Sequence, residues 1–349
     1  MLKRLLLICV LAISALSLAN KEGEAILAKI KALKQPEFDS SKGQDDAAMD
    51  AFMDRMAAHT KEKNDLIWKL FIADPSNPAT AELMEMRWTQ FQGGKVVVDD
   101  DYRRRLDEDI DKALATKPPV AIVEVAKFCH YQSQLGGWIS EVDFAINTCE
   151  AFAKQFPKSV RGPKLYLTAS YSMNQANRYP LMKSMVKFYP NSEYSGMARG
   201  ILKQKDELGK PFVLKFKNAI DGRAVDLADY HGKVVLLDFW ATWCGPCVEK
   251  IPEMKKMRET YGGEGFEIIG ISLDQPEAQG GQTKLKDFVA KQKLPWPQFY
   301  EGKAPTDSFA ANWGITVIPT VFLIDRKGNL REVGVRDIEA SIKKLLTEK

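Results

Sequence analysis

Apolar residues along this chain follow two different periods, and the change falls near residue 208. In the first part Ile26, Leu27, Ile30 and Leu33 recur at helical spacing, as do Leu66, Ile67, Leu70 and Phe71, and such spacing lines one face of a helix. Asp74-Pro75 and Asn77-Pro78 interrupt the pattern, Thr80 is expected to cap a further helix through Leu83, Met86 and Trp88, and Lys117-Pro118-Pro119 is the next break. Only the short Val96-Val97-Val98 run carries a strand signal here. Beyond Leu208-Gly209-Lys210-Pro211 strands appear. Phe212–Phe216 and Ala224–Leu227 flank Asp221-Gly222, a hairpin-turn dipeptide. Val234–Trp240 is a near-continuous apolar run, which predicts a strand covered on both faces. A helix over Pro246–Tyr261 is expected to stop at Gly262-Gly263. There follow a strand over Phe266–Leu273, a helix over Thr283–Lys291 and a strand over Thr320–Ile324. The turn Asp325–Asn329 then leads into a strand over Leu330–Val335 and a last helix over Ile338–Leu346. The order is βαβ first and a hairpin last. It predicts an α/β domain with a mixed sheet flanked by helices over 209–349, preceded by an all-α domain over 20–208.

The helical part carries a weak internal echo. Ala151-Phe152-Ala153-Lys154-Gln155-Phe156-Pro157-Lys158-Ser159 returns as Met185-Val186-Lys187-Phe188-Tyr189-Pro190-Asn191-Ser192. In each copy an aromatic followed by proline ends one helix, and a serine begins the next. The offset between the copies resembles the tetratricopeptide period, which implies helical hairpins. Two copies without most of the usual signature residues leave an irregular helical bundle as the equal alternative.

The segment Met1–Ala19 is of another kind. Lys3 and Arg4 precede an apolar run, Leu5–Leu18, and Ser17-Leu18-Ala19 puts small residues before a cleavage point after Ala19. This is the layout of a secretory signal. The run is short of the roughly 20 apolar residues that span a bilayer. An uncleaved anchor is the alternative, and lipid attachment at Cys9 is disfavoured by the bulky Leu7 and Ile8 before it. The expected location is therefore periplasmic or otherwise exported. Of the formal charge of +4, Lys3 and Arg4 contribute two, so the remainder carries about +2. That balance, with no polybasic patch, gives no reason to expect nucleic acid as a partner. Removing the segment leaves Cys129, Cys149, Cys244 and Cys247, too few for a disulfide scaffold.

One cysteine pair stands out by its surroundings. Leu236-Leu237-Asp238-Phe239-Trp240-Ala241-Thr242-Trp243-Cys244-Gly245-Pro246-Cys247 places a C-x-x-C where a buried strand gives way to a helix. Cys244 falls at the helix N-terminus, where unpaired N–H groups and the macrodipole favour a thiolate. It is the expected attacking sulfur. Cys247 lies one turn further in, within reach of a mixed disulfide formed on Cys244. Pro246 suits the first turn because its missing N–H would have had no partner. An acid inside Val234–Trp240 is costly to bury ionised, so Asp238 is expected to have a raised pKa and to exchange a proton with Cys247. Its plainer reading is a hydrogen-bonded structural acid.

Trp243-Cys244-Gly245-Pro246-Cys247 is identical to the active-site sequence of thioredoxin, a family whose attacking cysteine is a known case of a lowered pKa. The resemblance gives Asp238 the place of that family's buried carboxylate under the second cysteine, and Pro252 the place of its kinking helix proline. Ile318-Pro319-Thr320 resembles its cis-proline loop, which lends backbone to an incoming chain. Gly232–Trp240, the insertion around Asp274–Trp296 and Pro319–Gly328 are similar to exported thioredoxin-like reductases of the TlpA and ResA kind. The likeness covers about 211–349 and not the helical half. It implies a thiol:disulfide oxidoreductase whose catalytic residues are Cys244, Cys247 and Asp238. Trp243, Gly245, Pro246, Ile318 and Pro319 would meet the substrate.

Two positions depart from that pattern. Lys250 stands three residues after the second cysteine, where many members carry Glu, and Gly270 stands where thioredoxin pairs its buried acid with a lysine.

The resemblance implies disulfides of exported proteins as substrates, reduction over oxidation, a membrane electron donor, and neither organic cofactor nor metal. A structural disulfide or half a zinc site is the plain alternative for Cys244 and Cys247, but His59, His130 and His231 are scattered and no second C-x-x-C completes a metal set. A peroxiredoxin-like thiol peroxidase is a rival enzyme. It wants Thr three residues before the reactive cysteine, and Ala241 is there instead. A third reading makes the helical half a protein-binding module that carries an accessory redox domain. Cys129 and Cys149 are either buried apolar residues or a bonded pair.

Overall fold

The computed structural model describes residues 20–39, 45–89, 100–136, 141–171, 173–303, 308–335 and 337–348. The signal segment 1–19 and the Val96-Val97-Val98 run lie outside the described residues. The chain divides into two compact units, Met1–Asn174 and Gln175–Lys349.

Every regular element among the described residues of the first unit is a helix. A helix over residues 20–32 (α1) is followed by α2 (Asp46–Ala73), α3 (Thr80–Thr89), α4 (Asp100–Ala115), α5 (Val120–Leu135), α6 (Val142–Gln155) and α7 (Gly162–Tyr171). Helix α5 is central, packing against α3, α4, α6 and α7, and Trp88, Phe128, Phe152 and Tyr166 are buried in this unit. One polar cluster is buried with them. Arg87 donates twice to Asp109 (2.9 and 2.7 Å), and the Trp88 indole donates to the same carboxylate (2.9 Å). A buried charge is tolerated only when it is paired and hydrogen-bonded in this way. The chain breaks at Asp74–Ala79 as expected, though Thr80 does not cap α3. Its hydroxyl donates to the Asp74 carbonyl (3.0 Å), while the Asn77 side chain accepts the Ala79 N–H (3.1 Å).

The second unit begins with two helices, α8 (Gln175–Phe188) and α9 (Ser195–Asp206). The internal echo has a structural counterpart at the helix ends. Phe156 N–H closes on Phe152 and Ser159 N–H on Phe156, and Tyr189 and Ser192 repeat both bonds on Met185 and Tyr189. Compactness, however, divides the chain after Asn174, well ahead of the sequence boundary at 208/209. Helix α9 is held to the sheet unit by contacts that periodicity does not encode. A Cβ on Gly200 would come within 2.2 Å of the Gly314 nitrogen, so only glycine admits this approach. The Gln204 amide donates to the Trp313 carbonyl (2.5 Å), and the Lys203 ammonium lies 4.1 Å from the Trp313 ring centre.

The sheet itself has the thioredoxin-like arrangement. A small hairpin, β1 (Lys215–Lys217) and β2 (Ala224–Asp226), precedes β3 (Val234–Trp240), α10 (Gly245–Glu249), α11 (Ile251–Tyr261) and β4 (Phe266–Ser272). Then come α12 (Gly281–Gln292), β5 (Gln298–Phe299), α13 (Phe309–Asn312), β6 (Thr320–Ile324), β7 (Leu330–Val333) and α14 (Ile338–Thr347). The five-stranded sheet runs β5-β4-β3-β6-β7, with β3 parallel to β4 and antiparallel to β6. Every residue of β3 is buried, as its apolar run required. Successive residues face opposite layers. Leu236 and Trp240 pack with Met254, Leu285 and Ile342 of α11, α12 and α14, while Val235, Leu237 and Phe239 pack with Phe212 and Trp313. No described helix is long and apolar enough to cross a membrane.

Candidate functional site

The strand-to-helix junction after β3 forms where the sequence placed it. Trp240 ends the strand, and Cys244 is the N-cap of α10, with extended backbone angles and its Sγ accepting the Cys247 N–H at 3.3 Å. Gly245 opens the helix and Pro246 occupies its first turn. Cys244 and Cys247 are joined as a disulfide, with 5.2 Å between their Cα atoms. Both are nearly buried, at 6% and 5% exposure, whereas Trp243 beside them is 59% exposed. The expected helix over Pro246–Tyr261 is broken into α10 and α11 at Lys250, ahead of Pro252 in the first turn of α11. A proline nitrogen cannot donate to the preceding turn, and its ring displaces that turn's carbonyl.

The loop leading to the pair is fastened by a residue the sequence reading did not single out. The Asp274 carboxylate accepts the Thr242 N–H (3.1 Å) and hydroxyl (2.5 Å), and also the Ser272 hydroxyl (2.7 Å). Leu273 N–H donates to the Trp240 carbonyl (2.8 Å). The ends of β3 and β4 are thus tied together at the loop that leads to Cys244.

The proline loop adjoins the core cluster of the cysteines through Ile318. The Ile318–Pro319 peptide bond is cis, as the resemblance implied. Pro319 leads directly into β6, whose first residue Thr320 pairs with Phe239 on β3. Ile318 is half-buried and packs against the cluster that contains Cys244 and Cys247, and Val317 is 60% exposed.

Asp238 sits in the middle of β3 on the same face as Leu236 and Trp240, the face that packs against both cysteines. It is 9% exposed. Burial raises its pKa from 3.8 to about 7, with Lys250, at the break between α10 and α11, pulling it back. Strand register puts Gly270 directly beside Asp238, so no cation comes from that position. A Cβ there would lie 2.1 Å from the Gln298 amide oxygen, which instead accepts the Trp240 indole N–H (3.0 Å). Gln298 is fully buried and was missed in the sequence, although a glycine inside a strand is the usual sign of such an approach. Cys129 and Cys149 are free thiols buried in the first unit, and burial pushes both well above the range of an exposed cysteine.

This geometry has relatives. The sequence model of the AhpC/TSA family matches residues 208–333. The thiol-disulfide oxidoreductase ResA of Bacillus thuringiensis subsp. konkukian is 31% identical over 127 residues, which are 36% of this chain and 69% of that protein. The thioredoxin-like protein YneN of Bacillus subtilis is 28% identical over 142 residues, 41% of this chain and 76% of YneN. Among solved structures, a thiol:disulfide interchange protein of the thioredoxin family from Chlorobium tepidum is 28% identical. It covers 39% of this chain and 94% of its own, with a TM-score of 0.33. The ResA identity extends over more than two thirds of that protein, and a cysteine pair bonded at the helix start suits the exchange its name describes. By this likeness the chain belongs to the ResA family of thioredoxin-like thiol-disulfide oxidoreductases.

Proposed function

We propose that the protein reduces disulfides of exported polypeptides, with Cys244 as the attacking sulfur. The Cys244 thiolate attacks one sulfur of the substrate disulfide, forms a mixed disulfide and expels the other substrate sulfur as a thiolate. Cys247 then gives up its proton and attacks Cys244 Sγ, releasing the second substrate thiolate and leaving the enzyme disulfide. Two electrons pass to the substrate. Asp238 accepts the Cys247 proton in this reading, Ile318 and Pro319 hold the substrate strand by its backbone, and Trp243, Gly245 and Pro246 form the surface it meets. The observation that carries the proposal is Cys244 Sγ at the start of α10, already accepting the Cys247 N–H at 3.3 Å. On reduction the same N–H faces the thiolate.

Residues 1–19 read as an export signal, which puts the chain where disulfides persist. A membrane electron donor recharges Cys244 and Cys247 there. In this reading the helical part, residues 20–208, serves as a binding module for a protein partner. The direction of electron flow is tested by equilibrating the Cys244–Cys247 couple with glutathione. A potential near thioredoxin's, about −270 mV, is expected, whereas one near the oxidant DsbA, about −120 mV, would contradict reduction.

A further inference from the structure

Outside the cysteine pair, the second unit contains a groove of about 480 Å³ that opens beside Trp243 and Ile318. This is within the usual span of ligand-holding clefts, roughly 300–1,000 Å³. Its apolar lining comes from Trp243, Phe299, Phe309, Ile315 and Ile318 on the sheet side and from Met197 on α9. Helix α9 is thus one wall of a groove whose lining includes Trp243 and Ile318, the residues that precede Cys244 and Pro319 in the chain. That wall is fixed, because Gly200 and Gln204 dock α9 on the Trp313-Gly314 segment that leads to the proline loop. At the start of α9 Gly196 has open space where a side chain would stand, which keeps the groove unobstructed.

The charged residues along the groove are unequal in sign. Glu193, Asp274 and Glu301 contribute carboxylates, and Lys303 the one ammonium. Lys303 is paired with Glu301 (3.1 Å), and Asp274 is held by Thr242 and Ser272. Glu193 is exposed and makes no ion pair among the described residues. The Lys303 ammonium offsets one carboxylate and Asp274 is buried. The first turn of α9 offsets part of the rest with its own N–H groups, which leaves Glu193 as the exposed carboxylate that an incoming side chain would meet.

We infer that α9 is part of the substrate-binding surface and that the groove takes the segment flanking the target cysteine, preferring apolar side chains accompanied by a basic residue. The inference rests on the exchange chemistry proposed above and adds a substrate class to it. Trp243 and Ile318 line the groove and adjoin Cys244 and Pro319 in the chain, so a segment flanking a disulfide at Cys244 can reach the groove. The aromatic lining rewards burial of an apolar side chain, and the excess of carboxylates favours Lys or Arg over Asp or Glu.

The test is single-turnover oxidation of the pre-reduced protein by disulfide-bonded peptides that differ only beside the cysteine, as Leu-Lys, Leu-Glu or Ser-Lys. The small disulfide 5,5′-dithiobis(2-nitrobenzoate) serves as a probe that needs no groove. The Leu-Lys peptide is expected to react about fivefold faster than Leu-Glu and about tenfold faster than Ser-Lys. Glu193→Lys is expected to reverse the first ratio, and Met197→Ser to reduce the second. Equal rates for the three peptides, ratios unmoved by these variants, or a dimer in which a second copy fills the groove would overturn the inference. A wild-type protein that reduces neither the peptides nor the small disulfide would instead overturn the exchange chemistry itself.

Discussion

Replacing Cys244 by Ser is expected to abolish reduction of insulin disulfides, while replacing Cys247 by Ser is expected to stop the reaction halfway. The two losses differ in kind because the two sulfurs differ in position. Cys244 is the N-cap of α10, where the dipole and the free N–H groups stabilise negative charge. A serine hydroxyl there has no comparable nucleophilicity, so no covalent adduct forms. Cys247 is one turn deeper and already bonded to Cys244. In the Cys247→Ser variant the first attack still occurs, and the mixed disulfide on Cys244 has no neighbouring thiol to release it. Turnover falls at least a hundredfold in both variants, by the usual weight of a covalent catalyst. Only Cys247→Ser accumulates an adduct with the substrate that runs as a larger species on non-reducing gels and disappears with dithiothreitol. Wild-type turnover in Cys244→Ser, or adducts in both variants, would contradict the assignment.

Asp238→Asn is expected to stabilise the folded protein at alkaline pH and to slow its catalysis. The carboxyl is raised from 3.8 to about 7 because it is buried. Between these values the folded protein retains a proton that the unfolded chain releases. Stability therefore falls as pH rises through the window from about 4 to about 7, and the full penalty is present above it. Removing the charge should recover up to about 4 kcal/mol at pH 8 and little at pH 4, read from urea unfolding at the two values. If the carboxylate also takes the Cys247 proton, the variant loses roughly a hundredfold in the release of the mixed disulfide. The inflection near pH 7 in that step vanishes with it. A stability gain without a kinetic loss would make Asp238 a structural acid.

How much of this was legible in the sequence depends on the range of the interactions involved. Strands β3 and β6 have the boundaries their apolar runs predicted, Val234–Trp240 and Thr320–Ile324. Each is a central strand whose faces are both covered, so hydrophobicity alone delimits it. The cysteine turn was equally clear, because cap, glycine and proline are local requirements. Strand β5 is two residues long and α13 four, too short for any period to register. The Asp274 clamp on Thr242 spans 32 residues and the Gln298 amide reaches Trp240 across 58. Neither separation leaves a trace in local pattern. The attachment of α9 is of the same kind, resting on Gly200 and Gln204 against a segment 109 residues away in the case of Gln204. Its helical state follows from local periodicity, whereas the surface that covers it comes from residues far along the chain.

The account depends above all on the acidity of one thiol in the reduced protein. Alkylation of Cys244 by iodoacetamide, followed against pH by mass spectrometry, measures it directly because only the thiolate reacts. Half-maximal reactivity is expected well below the value of a free cysteine, roughly 8.5, with Cys247 lagging behind. Half-maximal reactivity at or above that value, or a Cys247 that reacts first, would contradict the assignment of Cys244 as the attacking sulfur.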